Sequence, residues 1–176
     1  ALPGDSDILH RLAVAQRRAG YFEDAITTFE QAAMNDPAFS RSPNTMIETL
    51  LFMNEFERVT KLIDQLILRY PDARDLRVHK VVAKVNQGDL ETARLLVDSM
   101  PPSGSSAYIT QIPYLPLFER DYEKAIEIWG IPEIAASSKN RGFSSSEDIT
   151  KAWAYRLKGD EALALKHARL VIERIS

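Results

Sequence analysis

The most constraining feature of this chain is an internal period of 34 residues. Gly20, Asn54 and Gly88 lie 34 apart, as do Phe22, Phe56 and Leu90. Ala25, Val59 and Ala93 keep the same interval, followed by Phe29, Ile63 and Val97, then Ala32, Leu66 and Met100. Pro3, Pro37 and Pro71 make a sixth column. A repeat this short cannot bury a core alone, so each unit must close against its neighbours.

Each column has a physical role. Gly or Asn suits a left-handed turn residue between two apolar-periodic stretches. Ala25 and Ala93 are small enough to let two helices approach closely. Phe29, Ile63 and Val97 fall four residues later, on the same helical face. Proline cannot continue an interior hydrogen-bond ladder and closes the second helix. The predicted unit is a helix, a tight turn, a second helix and a stop.

Further along, the register slips but persists. Arg120, Tyr122, Ala125 and Trp129 follow Gly88, Leu90, Ala93 and Val97 by 32 residues. Gly159, Ala164 and Ala168 follow Arg120, Ala125 and Trp129 by 39. The reading is five helix pairs, 6–39, 40–73, 74–105, 106–144 and 145–176, within one repeat domain. The pattern resembles the tetratricopeptide (TPR) family of 34-residue helix–turn–helix units. The first unit carries it best, in Leu12, Ala13, Gly20, Tyr21, Phe22, Ala25, Phe29, Ala32 and Pro37; the last matches in Ala152, Tyr155, Gly159, Asp160, Ala164 and Ala168. The middle units depart from it, with Lys80 in the column of Leu12 and with Pro113 and Pro116 inside a first helix. The resemblance implies an all-α, right-handed superhelical solenoid with a non-catalytic protein-interaction role. Units one to three are also similar to TPR regions that follow catalytic domains in bacterial signalling proteins such as adenylate cyclases and Ser/Thr kinases. That implies a second role, a regulatory or oligomerising segment of a larger enzyme.

Local signals set the boundaries. Ser42 reads as an N-cap with Pro43 at the first helical position. Ser144 and Glu147 have capping-box spacing. Asp89 and Asp121 sit where a carboxylate favours a helix N-terminus. Pro101–Ser106 and Ser137–Ser146 read as loops. Pro3 occupies the closing column of an earlier unit, so the native chain is expected to continue N-terminally. The truncated face is then a candidate for contact with another copy.

Composition narrows the function. Cysteine is absent, which excludes disulfides, a cysteine nucleophile and Cys-ligated metal. The net charge of −3 argues against nucleic-acid binding, and the small basic cluster Arg11, Arg17 and Arg18 does not change that. No apolar run reaches the ~18 residues of a membrane span. Without a signal peptide or any Cys, the compartment is expected to be the cytoplasm. Phosphate-binding glycine loops and the His-Glu and Ser elbow motifs are missing. Of the three His, His10 and His79 read as polar groove-lining residues without a carboxylate at ligand spacing, and His167 as a cation near a helix C-terminus. Glu147–Asp148 and Glu119/Asp121 do not share a helix face. No catalytic residue, cofactor or metal site is expected. Trp129 reads as core, and the serine-rich stretch around Lys139 and Arg141 as a plain connector.

Binding is therefore expected on the concave face lined by first helices. The resemblance assigns it Val14, Arg17 and Arg18 from unit one and Glu48, Leu51 and Phe52 from unit two. Val82 and Asn86 come from unit three, Tyr114 and Phe118 from unit four, and Trp153 from unit five. The Lys/Asn/Arg clamp that some TPR domains use for a peptide carboxylate is replaced by His10, Val14, Thr45, Asp75 and His79, which argues against that ligand. Leu51, Phe52, Val82, Val85, Tyr114 and Phe118 make the groove apolar, as suits a peptide or helix partner. Leu51, Phe52 and Phe118 are the expected exposed members.

Overall fold

The computed structural model describes residues 5–36, 41–70, 74–140 and 144–175. Every regular element among them is helical, as the repeat pattern predicts. The chain divides into two compact units, Ala1–Asp72 and Ala73–Ser176. The first holds α1 (Ser6–Arg18), α2 (Phe22–Asn35), α3 (Arg41–Phe52) and α4 (Phe56–Arg69). The second begins with α5 (Arg74–Asn86), α6 (Leu90–Asp98), α7 (Ser106–Gln111) and α8 (Leu115–Phe118). It continues with α9 (Tyr122–Glu127), α10 (Pro132–Asn140), α11 (Ser144–Lys158) and α12 (Glu161–Ile175).

The turn inside each pair is one motif used five times. Gly20, Asn54, Gly88, Arg120 and Gly159 all have positive φ, between 60° and 87°. In each case the left-handed residue's N–H reaches the carbonyl three residues back. The next N–H reaches five back, as in Gly20 to Arg17 (3.1 Å) and Tyr21 to Gln16 (2.9 Å). Carbonyls orphaned at the end of the first helix are thereby satisfied while the chain reverses. The following residue opens the second helix. Asp89, Asp121 and Asp160 accept from backbone N–H groups three residues on, at 3.1–3.2 Å. Tyr21 and Glu55 occupy that place without a side-chain cap.

Packing follows the repeat columns. Ala25, Val59, Ala93 and Ala125 are wholly buried, and Ala164 nearly so. Four residues later Phe29, Ile63, Val97 and Trp129 are buried, each contributing about 1.5–3 kcal/mol of burial free energy. In the second unit Trp129 packs with Val78, Val97, Tyr108, Ile112 and Ile134. Its Nε1 is buried without a hydrogen-bond partner.

Pro113 and Pro116 break the first helix of the fourth pair, as expected. α7 stops at Gln111, a single 3-10 turn covers Ile112–Tyr114, and α8 resumes for four residues. The segment 101–105 is non-helical, and Ser105 caps α7 by accepting from the Tyr108 N–H at 3.2 Å.

Two boundary expectations are corrected. Ser42 is not an N-cap: it lies inside α3, fully buried, 3.1 Å from the Nδ1 of His10. The stretch Ser137–Ser146 is not one loop, because α10 runs through Asn140 and α11 starts at Ser144. Ser137 is buried and donates to the Gly104 carbonyl at 2.7 Å. A Cβ on Gly104 would meet the Glu133 carbonyl at 3.2 Å, so the two segments close on a glycine. At the start of α11, Glu147 pairs with Lys151 at 2.6 Å, while the Ser144 side chain lies outside the described residues. So do Pro3, Pro37 and Pro71, although α2 and α4 end at Asn35 and Arg69, just ahead of the latter two.

Candidate functional site

The expected binding residues are best followed by register. Two residues before each left-handed turn stand Arg18, Phe52, Asn86, Phe118 and Leu157, and all five are exposed. Phe52 is 73% exposed and Phe118 59%. Trp153, one helical turn before Leu157, is 57% exposed. Water-facing rings of this size carry a hydrophobic cost and are common anchors for partners.

In the first unit, Phe52 ends α3 and rests one ring edge against Phe22 of α2, with centroids 5.4 Å apart. Arg17 of α1 reaches Glu48 of α3 at 3.7 Å. Arg18 is exposed, whereas Val14 and Leu51 are half-buried. Leu51 is thus corrected from an exposed to a half-buried position, while the next residue, Phe52, faces water. A shallow pocket of about 720 Å³ opens beside Val14, rimmed by Arg11, Arg18 and Arg41. His10 also lines this pocket, though it is buried. Its ring packs at 5.4 Å against Phe29 and meets Ser42. Burial, and then the charge of Arg41, hold its pKa below the ordinary histidine value. Arg11 is engaged by Asp7 at 2.7 Å, which lowers that carboxyl's pKa.

In the second unit, Asn86 is exposed and its Nδ2 donates to the Val82 carbonyl at 2.8 Å. Val82 and Tyr114 are half-buried. Val85 is half-buried and packs against the core cluster. Phe118 on α8 and Trp153 on α11 are both more than half exposed.

Several polar contacts were invisible in the sequence. Arg94 of α6 forms a two-pronged ion pair with Glu119, which follows α8; both are half-buried, and the carboxylate raises the Arg94 pKa. His167 of α12 meets the buried Asp148 of α11 at 2.7 Å, and its ring stacks on Tyr155 at 5.5 Å. His167 is therefore a helix-pairing residue rather than a helix-end cation. Arg58 and Glu23 bridge α4 and α2, and Lys158 and Glu123 bridge α11 and α9. Among the described residues no group of three His, Asp or Glu could hold a metal ion. No described helix is long and apolar enough to cross a membrane.

No protein-family model matches the sequence, and no curated protein matches it. Solved structures are similar in fold. A tetratricopeptide repeat protein from Parabacteroides merdae superposes with a TM-score of 0.73 at 15% identity, covering 99% of this chain and 67% of that one. MamA from Desulfovibrio magneticus RS-1 gives 0.64 at 14% identity, over 99% and 97% of the two chains. A second MamA structure gives 0.59 at 14%, over 96% and 91%. The chain therefore has a TPR-like fold of all-α helix pairs. At this identity the likeness extends to fold alone.

Proposed function

We propose that this chain is a protein-interaction module that takes a peptide or helical segment of a partner on its first-helix surface. One observation carries the reading: the exposed register position two residues before each turn, which presents Phe52 and Phe118 to water, with Trp153 one turn from its counterpart Leu157. Apolar rings at a repeated position give a partner anchoring points. In the first unit Arg18 of α1 and Glu48 of α3 are exposed polar residues, with Val14, Arg17 and Leu51 less exposed; in the second Asn86 is exposed, with Val82 and Tyr114 less so. The rings already face water, so they are available without unfolding.

The test is a pulldown with the wild-type chain beside the Phe52→Asp/Phe118→Asp double variant. Both rings are mostly in water, so the circular dichroism of the variant should match wild type. A partner captured by wild type and lost by the helical variant supports the reading. Equal capture by both, or loss of helicity, sinks it.

A further inference from the structure

The pocket beside Val14 runs against the charge of the unit that carries it. Residues 1–72 hold eleven acids and seven bases, and four of those bases, Arg11, Arg17, Arg18 and Arg41, stand on α1 and at the start of α3. Three of them rim the pocket, and none of its described lining residues is acidic. Arg17 is turned to Glu48 and Arg11 to Asp7, whereas Arg18 has no ion pair among the described residues. His10 registers the resulting field. Burial first, then Arg41, and to a lesser degree Arg11 and Arg17 hold its pKa down, and Asp7 offsets the arginines only in part.

The repeat itself shows which side of α1 stays open when a neighbour is present. α3 has a helix pair packed before it, and there Ser42 and Thr49 are wholly buried, Thr45 is half-buried, and Arg41, Glu48 and Phe52 are exposed. The matching residues of α1, 34 earlier, are Ile8 and Ala15 on the covered side, Arg11 between, and Asp7, Val14 and Arg18 on the open side. A pair preceding α1 would therefore pack on Ile8 and Ala15 and leave Val14, Arg18 and, on α3, Arg41 facing water. The spacing of the charges specifies an occupant. Arg11 and Arg18 are two helical turns apart, about 10 Å along α1. One phosphate or carboxylate cannot bridge that span, but two acids on one segment can. In an extended chain with three residues per turn, side chains at i and i+3 share a face about 9 Å apart. Val14, between the two arginines, gives the intervening residues an apolar floor.

We infer that this pocket binds an acidic, extended segment of a protein partner through carboxylate side chains at i and i+3, each gripped by a guanidinium fork. The assignment rests on the first-helix surface being the partner-binding face, and it names the chemistry that the partner brings to the first unit. The grip is on side chains and uses no chain terminus. Arg11 can turn from Asp7 to the ligand at little cost, because an exposed pair of this kind is weak.

The probe is a Glu-Pro-Pro repeat peptide, acetylated and amidated so that its ends carry no charge, beside a Gln-Pro-Pro twin. Binding to the full chain is read by calorimetry and by the His10 ring signals in NMR. We expect the Glu peptide to bind roughly tenfold or more tightly than its twin. Bound carboxylates should also raise the His10 pKa, because they offset the field of the arginines around it. Arg18→Glu and Arg41→Glu, both at exposed positions and confirmed helical by circular dichroism, should each weaken binding roughly tenfold. Lys61→Glu on α4 makes the same charge change outside the pocket lining and should leave binding as it is. Absence of binding by the Glu peptide, equal binding of the twin, or indifference to both arginine variants overturns the assignment. Tighter binding of a single-stranded oligonucleotide than of the Glu peptide also overturns it, giving the arginines to phosphates. If the Glu peptide fails while a pulldown partner is still lost in the Phe52→Asp/Phe118→Asp variant, the aromatic surface stands and the acidic segment alone is refuted.

Discussion

His10 shows how one residue ties the first repeat to the next. Its ring sits between Phe29 and the Ser42 hydroxyl, and burial holds its pKa down. The unfolded chain therefore binds a proton at His10 near pH 6.5 while the folded chain still resists it. Just below that pH the unfolded state holds more protons, so acidification favours unfolding. The stability due to His10 should be complete above about pH 6.5 and be lost as pH falls through the lower folded value. Denaturant midpoints from pH 7 to pH 5 should fall in wild type and fall less in His10→Gln; parallel curves would refute this. The carboxylates act in a separate window. Glu23 is lowered by Arg58, and Asp89 by its contacts with Thr92 and Lys84. Their contributions are present above the unfolded carboxylate range and are lost on stronger acidification, in both proteins alike.

The unit of construction at the next scale is the turn. Gly20 has φ of 85° and open space where a Cβ would stand, so a substitution there costs backbone strain alone. Gly20→Ala should lower stability by about 1–2 kcal/mol, the left-handed penalty of a residue with a Cβ. Arg120 already bears that strain at φ 60°, and Arg120→Gly should stabilise by up to about 1 kcal/mol. Urea unfolding of both variants checks the pair of signs. These turns were legible in the sequence because their cause is local: a left-handed residue flanked by two apolar stripes of helical period. Even Arg120 could be placed by spacing, though its residue type gives no hint of positive φ. The Ser137–Ser146 segment misled for the converse reason. Its serines and glycine read as a connector, but Ser137 is held by a carbonyl 33 residues away. Arg94 with Glu119 and His167 with Asp148 were likewise hidden, because residues 25 and 19 apart meet only after the helices pack. For the candidate surface, repeat register identified which residues stand on the first helices. It could not tell that Leu51 turns half under while Phe52 faces water, which depends on what the neighbouring helix covers.

At the scale of the molecule, the chain is two compact units, and both tryptophans belong to the second. Repeat arrays gain stability from each unit and its nearest neighbours, so cooperativity can fail along the chain. Tryptophan fluorescence should report unfolding of residues 73–176 alone, while circular dichroism reports both units. We expect the two urea transitions to differ in midpoint; superimposable curves would show a single cooperative block. The spacing of the left-handed residues carries a practical consequence. They stand 34, 34, 32 and 39 apart, yet the bonding of the turn itself is the same each time. The length variation falls in the helices and connectors that separate the turns, and none in the turns themselves. An engineer inserting a reporter loop or a protease site should therefore cut between pairs, in the exposed Pro101–Pro102 connector, and leave the inner hairpins uncut.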